Sequence, residues 1–188
     1  LTTAELVKLS ALDNGLYERT FFAKTVRQST PQFHREMDDA LYSDSRFVSI
    51  KVFRGGAKTT KLRLYASKKI AYGIAHTILF VSRTQDHASK SIEWLKRAVE
   101  FNKLWSGVYG LRPGTKWTGT DIEIIHGVDE YPIRVFAVGI TGQVRGFNID
   151  DYRPDLIIVD DADDEETTGT SEQIKKTSDL FFGALAKS

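Results

Sequence analysis

The sequence lacks cysteine altogether and has only four prolines and one methionine in 188 residues. The absence of cysteine excludes disulfides, thiolate catalysis and cysteine-based zinc sites. The four histidines show no metal-ligand spacing, and no apolar run approaches the roughly 20 residues that a membrane-spanning helix needs. Hydrophobic residues make up 41% and charged residues 27% of the chain. These values are typical of a globular domain and exclude a chain dominated by disorder or fibrous repeats.

Charge is distributed unevenly along the chain, although the net charge is only +1. Residues 51–103 contain 12 Lys or Arg and three Asp or Glu, whereas residues 150–166 contain nine acids and one base. A basic half and an acidic cluster suit a protein that binds phosphates together with a divalent metal. Two solvated faces of opposite sign explain the same distribution, and charge alone favours that simpler interpretation.

Short apolar segments alternate with helical patterns along the sequence. The predicted strands are 46–53, 77–82, 121–125, 133–139 and 155–160, and the predicted helices are 1–12, 32–42, 58–72, 86–105 and 171–185. Asn14-Gly15 is expected to break the first helix, and residues 107–120, with four glycines, to form a loop. This alternation predicts a three-layer α/β domain with a mostly parallel sheet. Ligands of such sheets bind beyond the carboxyl ends of the strands.

The segment VFRGGAKTT, residues 52–60, joins a predicted strand to a predicted helix. This layout is typical of a phosphate-binding loop, because the turn and the helix N-terminus present backbone N–H groups to an anion. Lys58 is then expected to reach the β- and γ-phosphates, and Thr59 to offer its hydroxyl to Mg²⁺. Val52 and Ala57 stand where the common pattern has glycine. If position 57 needs a positive φ, alanine there costs about 1 kcal/mol. A glycine turn that caps a basic helix is the alternative.

The segment DLIIVDD, residues 155–161, places four apolar residues before an acid. This is the Walker B layout, in which the strand carries Asp160 out of the core toward a metal. The next residue, Asp161, is expected to orient or deprotonate the attacking water. Many buried strands end in an acid, so the motif is weak alone. Its position downstream of the phosphate-loop segment predicts nucleotide binding.

Taken together, these motifs resemble the ATPase domain of the large terminase subunit of tailed bacteriophages, the motor that packages DNA into procapsids. FRGGAKTT is similar to the variant P-loop of that family, in which an arginine leads into a short glycine turn. TILFVSRTQDHASKSIEWLK is similar to its next strand and helix, and GITGQVRG followed by RPDLIIVDDADDEE to the segment that ends in the Walker B strand. These pieces extend over roughly residues 32–185, most of the chain.

The resemblance implies roles for individual residues. Arg54 matches an arginine that serves as γ-phosphate sensor or arginine finger, Asp160 the acid that holds Mg²⁺ together with Thr59, and Asp161 the position where many relatives carry the catalytic glutamate. The implied catalytic residues are Asp161, Arg54 and Lys58. The implied nucleotide-binding residues are Arg54, Gly55, Gly56, Ala57, Lys58, Thr59, Thr60 and Gln32.

Gln32 enters that set as a candidate for the family's adenine-contacting glutamine, which lies upstream of the P-loop. His34 and Gln28 compete with it for this role. The family's nuclease domain, with its carboxylate metal cluster, is not expected in this chain. The acids at 160–164 are better explained as the end of the Walker B strand and the loop after it.

The expected protein is therefore a single P-loop ATPase domain of the ASCE or RecA-like kind over residues 1–188, with 1–30 as a helical lead-in. The resemblance implies ATP and Mg²⁺ as cofactors, and translocation of double-stranded DNA into the procapsid in the cytoplasm of the infected bacterium. It also implies a portal protein, a small terminase subunit and a ring of copies as partners, although the isolated chain need not form a ring. One alternative is a degenerate P-loop module that binds DNA or partner proteins without useful turnover. A helicase-like translocase is less favoured, because no helicase motif beyond the Walker pair is found.

Other basic and aromatic residues support only weak expectations. Four basic residues of the predicted helix 58–72 are expected to form a solvated face, and a face that lines a DNA channel is the alternative: Lys61, Arg63, Lys68 and Lys69. The three tryptophans are expected to anchor the core or a loop rather than to stack nucleic-acid bases: Trp94, Trp105 and Trp117.

Overall fold

The structure is a computed structural model that describes residues 2–26, 30–127, 129–139 and 154–161. Within these ranges the helices are α1 (Thr3–Leu12), α2 (Asn14–Phe21), α3 (Gln32–Leu41), α4 (Lys58–Ala71), α5 (Gln85–Phe101) and α6 (Lys103–Tyr109). The strands are β1 (Thr77–Ser82), β2 (Arg112–Trp117), β3 (Asp121–His126), β4 (Asp129–Gly139) and β5 (Leu156–Val159). No helix in the described ranges combines the length and the apolar character needed to cross a bilayer.

The five strands form one mixed sheet in the order β2-β3-β4-β1-β5. Strand β1 runs parallel to both of its neighbours, with Phe80 opposite Ala137 of β4 and Ile158 of β5. Strands β2, β3 and β4 pair antiparallel. The predicted α/β class is confirmed. The expected parallel arrangement holds for β4, β1 and β5 only.

Strand β2 lies where the sequence predicts a loop. Gly114 makes the pairing possible, because a Cβ at this position would lie 2.6 Å from the Cβ of Glu123 on β3. The glycine that marks the segment as a turn is therefore required for close approach of the two strands. The preceding helix is also shorter than predicted. It ends at Phe101, and the side chain of Asn102 caps α6 by accepting from the N–H of Trp105.

The main core lies on one face of the sheet, beneath α4 and α5. Alternate strand residues such as Ile78, Phe80 and Val135 pack there against Leu64 and Ile92 of the two helices. The residues between them form a second buried apolar cluster on the opposite face: Leu79, Val81, Phe136 and Val138. The helix predicted at 171–185 lies outside the described residues. The described part therefore shows a sheet with helices packed on one face.

Two other sequence expectations differ from the structure in detail. Helix α1 ends at Leu12, as predicted, but the chain turns at Asp13, whose side chain accepts from the N–H of Leu16, so Asn14 and Gly15 begin α2 rather than forming the break. The segment 46–53 forms no strand. A cavity of about 740 Å³ separates residues 43–50 from the outer edge of β5, and Phe47 and Val48 are exposed. The alternating pattern is present in 46–53, but the segment has no hydrogen-bonded partner strand among the residues that the structure describes.

Lys61 and Lys68 of α4 fit neither a DNA channel nor a solvated face, whereas Arg63 and Lys69 are half-buried. Lys61 and Lys68 are only 3% and 4% exposed. The Lys68 ammonium donates to the Ala11 carbonyl at 3.0 Å and to Asn14 Oδ1 at 2.6 Å, and it lies 5.1 Å from the ring centre of Tyr42. These lysines connect α4 to the lead-in helices.

The three tryptophans are anchors of the fold, as predicted. Trp105 is fully buried, and Trp94 stacks on Phe22 with ring centres 5.2 Å apart. The indole N–H of Trp117 donates to Glu100 Oε1 at 2.7 Å. Their rings therefore serve packing between elements.

Candidate functional site

A tight turn precedes α4. The N–H of Gly56 donates to the carbonyl of Phe53 at 3.0 Å, and Gly55 between them has φ +86°. A Cβ on Gly56 would lie 2.2 Å from Cγ1 of Val52. Because Val52 fills the space beneath the turn, only glycine fits at position 56.

The helix N-terminus follows directly after the turn. Ala57 has φ 58° and ψ 26°, a left-handed conformation, and its carbonyl accepts from the N–H of Lys61 at 3.0 Å. That hydrogen bond is the first of the helix, so the N–H groups of Lys58, Thr59 and Thr60 have no partner within it. The first turn of α4 carries no acidic residue. Such a terminus attracts an anion through its N–H groups and its dipole.

Ala57 has the positive φ at which alanine is less favourable than glycine. A left-handed conformation costs an L-residue with a Cβ roughly 1–2 kcal/mol. The departure from glycine therefore introduces backbone strain at the point where the loop enters the helix.

The carboxyl end of β5 brings two acids to the same place. The N–H of Asp160 donates to the Val81 carbonyl at 2.9 Å, and the carbonyl of Asp161 accepts from the N–H of Arg83 at 3.1 Å. The chain thus continues alongside β1 beyond the end of the strand. Asp161 takes a positive φ of 48°, and its side chain is 69% exposed while that of Asp160 is 16% exposed.

The loop and the acids are in direct contact. The Thr59 hydroxyl donates to Asp160 Oδ2 at 2.5 Å, and Lys58 Nζ lies 2.7 Å from Asp161 Oδ1 and 3.3 Å from Asp160 Oδ1. Burial opposes the charged form of Lys58. The hydrogen bond to Asp161 and the charges of both aspartates outweigh it and raise the pKa of the ammonium. Four residues predicted from two distant motifs are therefore brought together.

The oxygen ligands of this cluster suit a hard divalent cation. Asp160 Oδ1 is buried, and its one partner within the described part of the chain is the Lys58 ammonium at 3.3 Å; the Thr59 hydroxyl lies beside the same carboxylate. The described ranges contain no group of three or more His, Asp or Glu side chains that could hold a metal without help. A Mg²⁺ ion here would therefore need further oxygens from water and from a bound phosphate chain, as is usual for this ion.

The other predicted site residues are placed differently. Arg54 lies in the turn with an exposed side chain, and the structure does not bring it to the two aspartates. Gln32 is the exposed first residue of α3. Gln28 lies outside the described residues. His34 contacts the loop directly, because its Nε2 is 3.0 Å from the carbonyl of Gly56.

A buried ion cluster beneath the loop was missed by sequence reasoning. Lys61 Nζ lies 2.5 Å from Glu18 Oε1 of α2 and 2.6 Å from Asp38 Oδ1 of α3. Burial raises the pKa values of both carboxyl groups, although the lysine opposes this. Helix α3 is thus attached to the α4 region twice, through His34 and through Asp38. The available signal was the position of Glu18 directly after Tyr17, a residue of the core.

Comparison of the chain with models of protein families, with curated proteins and with solved structures finds no match.

Proposed function

We propose that the chain is a Mg²⁺-dependent ATPase domain with a P-loop NTPase fold of the ASCE or RecA-like kind. The observation that carries the proposal is the hydrogen bond between the Thr59 hydroxyl at the N-terminus of α4 and the Asp160 carboxylate at the end of β5. It joins a glycine turn, a helix N-terminus, a lysine and a strand-terminal acid in one site. A triphosphate with its metal needs groups of this kind from the protein.

Each residue of the proposed site has a role that follows from its chemistry. The N–H groups of Lys58, Thr59 and Thr60 cradle the phosphates together with Gly55, Gly56 and Ala57, and the Lys58 ammonium leaves the aspartates to bind phosphate oxygens. The Thr59 hydroxyl and the Asp160 carboxylate hold Mg²⁺, which neutralises charge on the phosphates. Asp161, freed from Lys58, orients the attacking water and takes its proton.

The larger role proposed is that of the motor of a viral terminase large subunit, which moves double-stranded DNA into the procapsid. Its support is the sequence resemblance over roughly residues 32–185. Proposed with it are a homo-oligomeric ring, contacts with the portal protein and the small terminase subunit, and action in the host cytoplasm. In a ring, the exposed Arg54 is available to a neighbouring subunit as well as to its own nucleotide.

A binding module without useful turnover is the second candidate. Its support is the closed state of the site, in which Lys58 is paired with both aspartates, together with the strained Ala57. The ion pairs disfavour nucleotide entry, because Lys58 must leave both aspartates before it can bind phosphate, and the strain at Ala57 makes the loop conformation itself less favourable. Such a module would bind DNA or partner proteins and hydrolyse ATP slowly or not at all.

Release of phosphate from ATP separates the two candidates. The wild-type chain, Lys58→Ala and Lys51→Ala are compared with and without Mg²⁺, Lys51 being an exposed lysine upstream of the turn. If the chain is an ATPase, we expect phosphate release that depends on Mg²⁺. The rate should fall at least tenfold in Lys58→Ala and stay unchanged in Lys51→Ala. Phosphate release by the wild type no faster than the protein-free rate would favour the binding module.

A further inference from the structure

Two phenylalanine rings meet beside the glycine turn. The side chain of Phe53, the residue that opens the turn, is 67% exposed. Phe33, in the first turn of α3, lies against it with ring centres 5.2 Å apart and planes inclined by 58°. One ring of the pair thus supports the other, and much of the Phe53 surface remains open.

The aromatic pair is fixed to the loop that would bind phosphates. His34 follows Phe33, and its Nε2 lies 3.0 Å from the carbonyl of Gly56. The Phe33 and His34 rings are in edge contact, with centres 4.4 Å apart. The Phe53 carbonyl accepts the hydrogen bond that closes the turn. The pair is therefore attached to the turn that leads into α4, both along the chain and through His34.

We propose that the open face of Phe53, supported by Phe33, stacks the base of a nucleoside triphosphate whose phosphates lie at the N-terminus of α4. The inference rests on the function proposed above. Every nucleobase has a π-face, and stacking on an aromatic ring tolerates all of them. The site therefore strengthens binding of nucleoside triphosphates as a class and discriminates weakly between purines.

Calorimetric titration in Mg²⁺ tests this with three ligands: ATP, GTP and inorganic tripolyphosphate, which has the phosphates but no base. The proteins are the wild type, Phe53→Ala, Phe53→Trp and the control Phe101→Ala, which removes a 74% exposed ring at the end of α5. We expect Phe53→Ala to weaken ATP and GTP about ten- to hundredfold and tripolyphosphate less than twofold. Phe53→Trp and Phe101→Ala are expected to bind ATP as the wild type does.

The outcomes separate this inference from the proposed function. Unchanged ATP affinity in Phe53→Ala would overturn the stacking site and leave the ATPase proposal intact. An equal loss for ATP and tripolyphosphate would also overturn it, because the ring would then only support the loop. A wild-type chain that binds none of the three ligands would overturn both.

Discussion

Replacement of Ala57 by glycine should stabilise the protein. Ala57 has φ 58°, which costs an L-residue roughly 1–2 kcal/mol that glycine avoids. Glycine gains conformational freedom in the unfolded chain, which reduces the benefit by about 0.4–1 kcal/mol. The helix N-cap position adds a small preference for glycine over alanine. The expected net gain in the free energy of unfolding is therefore about 1 kcal/mol.

Urea denaturation followed by circular dichroism measures this gain, and a thermal scan should show a midpoint about 2–4 °C higher. Ala66→Gly is the matched control, because Ala66 is fully buried in the middle of the same helix. There glycine should destabilise by about 1 kcal/mol or more through lost helix propensity and lost packing. If Ala57→Gly destabilises the protein as Ala66→Gly does, the left-handed conformation at position 57 is wrong.

Two buried lysines give further predictions. Lys61→Met should lower the free energy of unfolding by about 3–5 kcal/mol at pH 7, because Glu18 and Asp38 lose their common partner in a buried site. The loss measured by urea denaturation should be smaller at pH 5, where these carboxyl groups take up protons more readily; an equal loss at both pH values would refute the ion cluster. Burial lowers the pKa of Lys68 from 10.5 to about 8, so between these values the unfolded chain binds the proton that the folded chain has lost. The free energy of unfolding should therefore rise between about pH 8 and pH 10.5; this part of the rise should disappear in Lys68→Met, and identical pH dependence of the two proteins would contradict it.

Local patterns in the sequence predict much of this fold. The strand at 77–82 matches β1 at both ends, and the helix predicted at 58–72 differs from α4 by one residue. The sequence also predicts a meeting of Lys58 and Thr59 with Asp160 and Asp161. Strand ends and helix starts in an α/β sheet converge on one edge, so two correctly ordered motifs suffice for that prediction.

Features that depend on distant partners escape sequence reasoning. Strand β2 exists because Gly114 fits against Glu123 of the neighbouring strand, and the local pattern shows only a glycine-rich segment. Residues 46–53 show the opposite case, since their alternation has no partner strand in the described structure. In the sequence, Lys61 resembles a solvated helix lysine. Only the packing of α2 and α3 against α4 shows that two carboxylates pair with it.

The most direct test of the proposed site is calorimetric binding of ATP with and without Mg²⁺. The wild type is compared with Asp160→Asn and with Asp155→Asn, at the opposite end of β5, whose carboxylate accepts from the N–H groups of His76 and Thr77. The proposed site predicts that Mg²⁺ strengthens ATP binding in the wild type and in Asp155→Asn. In Asp160→Asn the factor by which Mg²⁺ raises the ATP affinity should be at least tenfold smaller, a difference of about 1.4 kcal/mol. No ATP binding by the wild type at millimolar concentration, or an undiminished Mg²⁺ effect in Asp160→Asn, would contradict it.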